Sequence, residues 1–149
     1  MVEMLVVLIL FSVSLAMATS VFSGYQSRTA AQRAAQIFSM DLSLARTSAV
    51  RRREAAIVDF DEAGMSYLIR LESGDTLVRR VFGQDGDIRL DSLNLRFTGD
   101  SVVFNRRGVA DLGDSDGPGL GVASFAAGAT IYDVSFNLMG ASKVAVGSN

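Results

Sequence analysis

Cysteine, histidine and tryptophan are all missing from these 149 residues, and there is a single proline. Without a thiol or an imidazole the chain has no Ser-His or Cys-His nucleophile pair, no disulfide and no His or Cys metal ligand. Positive charge is scarce in the distal part: residues 55–149 carry eight Lys or Arg against thirteen acids, a net −5. Binding to a phosphate backbone draws on clustered positive charge, so nucleic acid is not the expected partner. The first 54 residues are the reverse, with six Arg against three acids. The length suits one domain of about 100 residues with one long appendage, and no cofactor is expected.

What is present comes first at the N-terminus. Residues 1–22 (MVEMLVVLILFSVSLAMATSVF) hold 17 apolar side chains and one charge, Glu3, with no Gly or Pro before Gly24. A helix of that length rises about 33 Å, which matches the roughly 30 Å hydrocarbon layer of a bilayer. Ser12, Ser14, Thr19 and Ser20 are tolerable in it because hydroxyls bond back to the preceding turn. A cleaved secretory leader is the competing reading, since Ala16-Met17-Ala18 is a small-x-small pattern; the product would be a soluble β-rich protein starting at Thr19. Such leaders open on a basic stretch. Here the only charge before Arg28 is an acid, and the apolar run continues through Val21 and Phe22.

Residues 25–54 continue without a break, and Ala31, Ala35, Phe38, Leu42, Ala45 and Ala49 recur at helical spacing. This apolar stripe needs a surface to cover, most simply a sheet built by the rest of the chain. Arg51, Arg52 and Arg53 fit a solvated helix end, where positive charge suits the dipole. The organisation expected is therefore a transmembrane or filament-core helix over 1–24, its amphipathic continuation over 25–54, and a β-rich globular domain over 55–149.

The segment VEMLVVLILFSVSLA resembles the opening of type IV pilins and pseudopilins, whose mature chains start with Phe, a few apolar residues and a Glu at the fifth position; Glu3 matches that Glu. AAQRAAQIFSMDLSLARTSAVRRRE is similar to the following helix of the GspH/FimT group, where a run such as DLRLARSEAVRR is typical. Val103-Phe104-Asn105-Arg106-Arg107-Gly108 is similar to that group's xFxxRG turn. The resemblance implies a minor pseudopilin of type II secretion or a related minor pilin, without enzymatic activity. It implies a single pass in the bacterial inner membrane, a periplasmic C-terminal domain, and incorporation into a pseudopilus or pilus.

Implied partners are other minor and major pseudopilins or pilins, an inner-membrane assembly platform and a prepilin peptidase. Glu3 would serve filament assembly by meeting the N-terminal amine of a neighbouring subunit, while Ser14, Ala16 and Ala18 would allow close helix approach. The family's basic leader is absent, so residue 1 is expected to be about the third mature residue, with Met1 internal to a longer reading frame. Upstream positive charge would then set the orientation, which Arg28 and Arg33 alone would oppose. Ser20 stands where many relatives have Pro, so no kink is expected.

After residue 55 the period changes. Short runs rich in β-branched and aromatic residues at 56–60, 66–71, 76–82, 88–97, 101–104, 130–138 and 143–146 alternate with Gly/Asp turns. They predict antiparallel sheets packed on the helix, an α+β fold of pilin type. Leu112–Gly128, with the proline and a cluster of glycines, reads as a surface loop. Asp111, Asp114 and Asp116 offer a weak Ca²⁺ alternative there, although the spacing fails an EF-hand, because position 1 would be Leu112 and position 12 Ala123. Asp59, Asp61, Glu72 and Asp91 could supply a glycosidase pair, but acids on alternating strand positions also describe a solvent face. Some FimT-like minor pilins are implicated in DNA uptake and carry a Gly-Arg-x-Arg motif near the C-terminus; the similar place here, Gly140-Ala141-Ser142-Lys143, keeps one cation, and Arg106, Arg107 and Lys143 form the candidate DNA or ligand patch.

Overall fold

The computed structural model describes residues 2–83, 86–97, 99–112 and 119–147, with the side chains of residues 2, 5 and 16–23 outside that description. The first element is one helix, α1, Val2–Arg52. Its hydroxyls turn inward along its own backbone: Ser12 Oγ donates to Leu8 O at 2.7 Å, Ser14 Oγ to Leu10 O at 2.9 Å and Thr29 Oγ1 to Tyr25 O at 2.9 Å. The helix stops where Arg53 takes a left-handed conformation (φ 56) and Glu54 N–H reaches back to Ala49 O at 3.2 Å. That six-to-one bond is a Schellman closure, and Arg51 and Arg52 lie in the last turn where positive charge suits the dipole.

Nine strands follow among the described residues. β1 (Ala56–Asp61), β2 (Ser66–Leu71), β3 (Thr76–Val81), β5 (Ser101–Phe104) and β6 (Ala110–Asp111) form an antiparallel sheet in the order β3-β2-β1-β5-β6. β4 (Ser92–Arg96), β7 (Leu120–Ala127), β8 (Thr130–Asn137) and β9 (Ser142–Val146) form a second, ordered β4-β7-β8-β9. The expected α+β fold with antiparallel sheets on a long helix is the one observed.

The amphipathic half of α1 packs on both sheets, against β1 and β5 of the first and β7, β8 and β9 of the second. Ala31, Ala34, Ala35, Ala45 and Ala49 are fully buried, and their small side chains let the strands approach the helix axis. Phe38 fills the middle. Its ring lies 5.4 Å from Tyr67, 5.4 Å from Phe125, 5.7 Å from Phe60 and 6.1 Å from Phe136, so both sheets and the helix share one aromatic cluster. Main-chain and side-chain bonds stitch the sheets together: Ala110 N–H donates to Leu138 O at 2.6 Å and Leu95 N–H to Glu62 Oε1 at 2.7 Å.

One expectation is overturned. Leu120–Ala127 is not loop but β7, held between β4 and β8 in the interior of its sheet. Its Gly, Ala and Ser residues have poor strand propensity, but Phe125 anchors it against Phe38, and the position of Gly121 beside Phe136 leaves no room for a side chain. A Cβ on Gly121 would lie 2.5 Å from Phe136 Cζ.

Candidate functional site

The apolar prong is the first feature. Glu3, Met4 and the side chains of residues 6–15 are exposed, among them Met4 at 73%, Leu8 at 63% and Phe11 at 67%. Burying side chains of this size is worth about 1.5 to 3 kcal/mol each, and none of the other described residues covers them. Among the described residues no helix is long and apolar enough to cross a membrane; the side chains of 16–23, which complete the apolar run in the sequence, are not among them. Ala16 and Ala18, read as close-approach positions and as a cleavage pattern, have side chains outside the description, whereas Ser14 bonds to its own helix.

Further along α1, Phe38, Leu42, Ala45 and Ala49 are wholly buried, and they hold the helix on the head. Beside them sits a group that sequence reading missed. Asp41, 6% exposed, accepts a 2.8 Å bond from Tyr67 Oη and a 3.0 Å bond from Arg80 Nε, which joins α1 to β2 and β3. A buried carboxylate needs this double pairing. Burial raises the Tyr67 hydroxyl far above the ordinary tyrosine range, with the Asp41 charge and bond adding to it. The Asp41 bond is the main cause that holds Arg80 still higher than usual. The readable signal was an acid at 41, within the apolar stripe between Phe38 and Leu42.

The candidate nucleic-acid patch is dispersed over two sheets. Arg106, in the β5–β6 turn, faces Glu72 at 3.9 Å, Arg107 is exposed in the same turn, and Lys143 is exposed on β9. The carboxylates have structural partners: Asp59 pairs with Arg70 at 2.6 Å, Asp61 accepts from Gly64 N–H at 2.8 Å, and Asp91 from Gly128 N–H at 2.6 Å. Asp111 lies on β6, while Asp114 and Asp116 of the weak Ca²⁺ alternative fall outside the described residues. Among the described residues no three His, Cys, Asp or Glu side chains are grouped to hold a metal.

A long helix, with exposed apolar side chains among its described N-terminal residues and a second half sealed onto two antiparallel sheets, defines a protein of pilin-like architecture. The chain matches the family model described as "Type II transport protein GspH" over residues 34–141, and it belongs to that family. Its fold is similar to that of the type IV minor pilin FimU of Pseudomonas aeruginosa PAO1 in one crystal form, with a TM-score of 0.55, 20% identity, and coverage of 83% of this chain and 92% of that one. A second crystal form of FimU aligns with a TM-score of 0.53 and 20% identity over 78% of this chain and 92% of that one. No curated protein sequence gives a significant match.

Proposed function

We propose that the chain is a minor pseudopilin or minor pilin subunit, which waits in the inner membrane through the apolar half of α1 and enters a filament in which sister helices replace the lipid. The carrying observation is the row of exposed apolar side chains from Met4 to Leu15 on a helix whose far half is fixed in the head. Such a prong is unstable in water and suits either lipid or packed helices. The acidic β domain then lies outside the filament core, where it meets neighbouring subunits, the assembly platform and, in a secretion system, the transported cargo.

Glu3 supplies register. A carboxylate at the edge of an apolar environment calls for a positive partner, and in this reading that partner is the free amine of an adjacent subunit's N-terminus. The test is incorporation: express the subunit with its assembly machinery, shear the filaments, and compare wild type with Glu3→Ala. Loss of the variant from filaments, with its membrane fraction unchanged, supports the reading. Normal incorporation of Glu3→Ala removes the role of Glu3, and a mature chain found dissolved with Thr19 as its first residue removes the filament model as a whole.

A further inference from the structure

Where α1 runs beside the head, most of its outward side is polar, as a solvated helix face should be: Gln32, Gln36, Ser43 and Thr47 are exposed there. Met40 and Leu44 break that pattern. They are 68% and 43% exposed, and with the partly buried Ile37 they recur at spacings of three and four, which makes a short apolar row on a flank of the helix that the sheets leave open. Arg33 stands four residues before Ile37 on the same flank, exposed and without an ion pair among the described residues. Single exposed apolar side chains are ordinary on a protein surface, whereas a contiguous row with a free cation at its foot suits a partner that is apolar and carries one negative charge.

The other half of α1 has that chemistry. Residues 1–22 are apolar except for a single charge, Glu3. Thirty residues of one helix separate Glu3 from Arg33, about 45 Å at 1.5 Å per residue. A sister subunit displaced outward by that distance brings its Glu3 level with this Arg33, its Val7 and Leu10 level with Ile37 and Met40, and its Ser14-Leu15 turn level with Leu44. The displacement exceeds the roughly 30 Å hydrocarbon layer, so the sister's prong has left lipid altogether and needs apolar protein surface in its place. At that height the flank of α1 offers both the apolar row and the opposite charge.

We propose that this flank receives the apolar prong of a neighbouring pilin-type subunit that has advanced about 45 Å further from the membrane, with Arg33 facing its early Glu. The inference rests on the filament reading given above and adds a specific contact to it: the surface that replaces lipid includes the head-anchored part of α1, not other prongs alone. Glu3 keeps room for an amine as well, since a carboxylate offers about four acceptor positions.

The test uses the full chain expressed with its assembly machinery and compares sheared filaments with the membrane fraction. Met40→Glu combined with Leu44→Glu should lower the amount in filaments about tenfold, because it sets two charges against an apolar helix. Arg33→Glu should lower it about fivefold, while Arg33→Lys stays close to wild type. These side chains are exposed and lie outside the prong, so membrane fractions and unfolding transitions should be unaltered. A benzophenone amino acid at position 40 should, on irradiation of filaments, link to a peptide from the prong of a neighbouring subunit. Normal incorporation of the double variant or of Arg33→Glu, or links confined to head peptides, overturns the proposal while leaving the filament reading intact. A wild-type chain that stays in the membrane and never reaches filaments overturns both.

Discussion

Tyr67 on β2 donates its hydroxyl to Asp41 on α1 at 2.8 Å, and that bond ties the helix to a strand whose neighbour β3 supplies Arg80 to the same carboxylate. Removing Asp41 strands a buried hydroxyl, while Arg80, at 39% side-chain exposure, can turn to solvent. Asp41→Ala should therefore cost about 2 to 4 kcal/mol, and Tyr67→Phe about 1 kcal/mol, in denaturant unfolding of the detergent-solubilised chain. Asp41→Asn keeps one acceptor and should fall between.

The same pair sets an alkaline limit. Burial raises the Tyr67 hydroxyl above its unfolded value of 10.0, so above that pH the unfolded chain loses a proton that the folded chain retains. Stability from this group is complete below about pH 10 and falls as pH rises further. Midpoints measured from pH 8 to 11 should drop for wild type above pH 10 and drop less for Tyr67→Phe. Parallel curves would show that Tyr67 ionises alike in both states.

Phe38 touches rings from both sheets, with Tyr67 and Phe125 each 5.4 Å away, and is fully buried. Phe38→Ala opens a cavity where the helix and both sheets share one aromatic cluster. A loss of about 3 to 5 kcal/mol is expected in equilibrium unfolding, together with detachment of α1 seen as faster amide exchange over residues 31–49. Leu42→Ala, one turn away, should cost about 2 to 5 kcal/mol by the same reasoning.

Much of this architecture was readable from periodicity. The change from a spacing of three and four to alternation at residue 55 placed the helix end, and α1 runs to Arg52. β1 and β2 follow the alternation: Ala56, Val58 and Phe60 are buried on β1, and Tyr67, Ile69 and Leu71 on β2, with the residues between them more exposed. β7 was not readable, because Gly121, Ala123, Ser124 and Ala126 carry no strand signal of their own. Pairing with β8, from Leu120 opposite Asn137 to Ala127 opposite Thr130, and the anchoring of Phe125 against Phe38 make it a strand. The role of Asp41 was hidden for a different reason. An acid in an apolar stripe says that a partner exists, but Tyr67 and Arg80 come 26 and 39 residues later, and only the fold brings them there.

That tight space around β7 yields its own prediction. A side chain at Gly121 must push aside Phe136, which is fully buried and packed on Phe38. Gly121→Val, despite its better strand propensity, should destabilise the head by about 1 to 3 kcal/mol, read as a lower denaturation midpoint. Gly121→Val combined with Phe136→Leu should recover part of the loss, since the shorter side chain vacates the space the valine enters.

The prong can be tested apart from the head. Leu10 is 63% exposed and lies within the row of uncovered apolar side chains, so Leu10→Arg alters nothing that the β domain packs against. In lipid, an arginine near the centre of a helix costs about 2.5 to 3.5 kcal/mol by insertion scales, and in a filament core it would face apolar sister helices without a partner. The variant should therefore leave the membrane fraction and be excluded from sheared filaments, while its head keeps the wild-type unfolding transition. Phe38→Ala should show the reverse, with membrane retention kept and the head weakened. If Leu10→Arg remained in both membranes and filaments, the apolar row would have some other cover, and lipid and sister helices could not be what stabilises it.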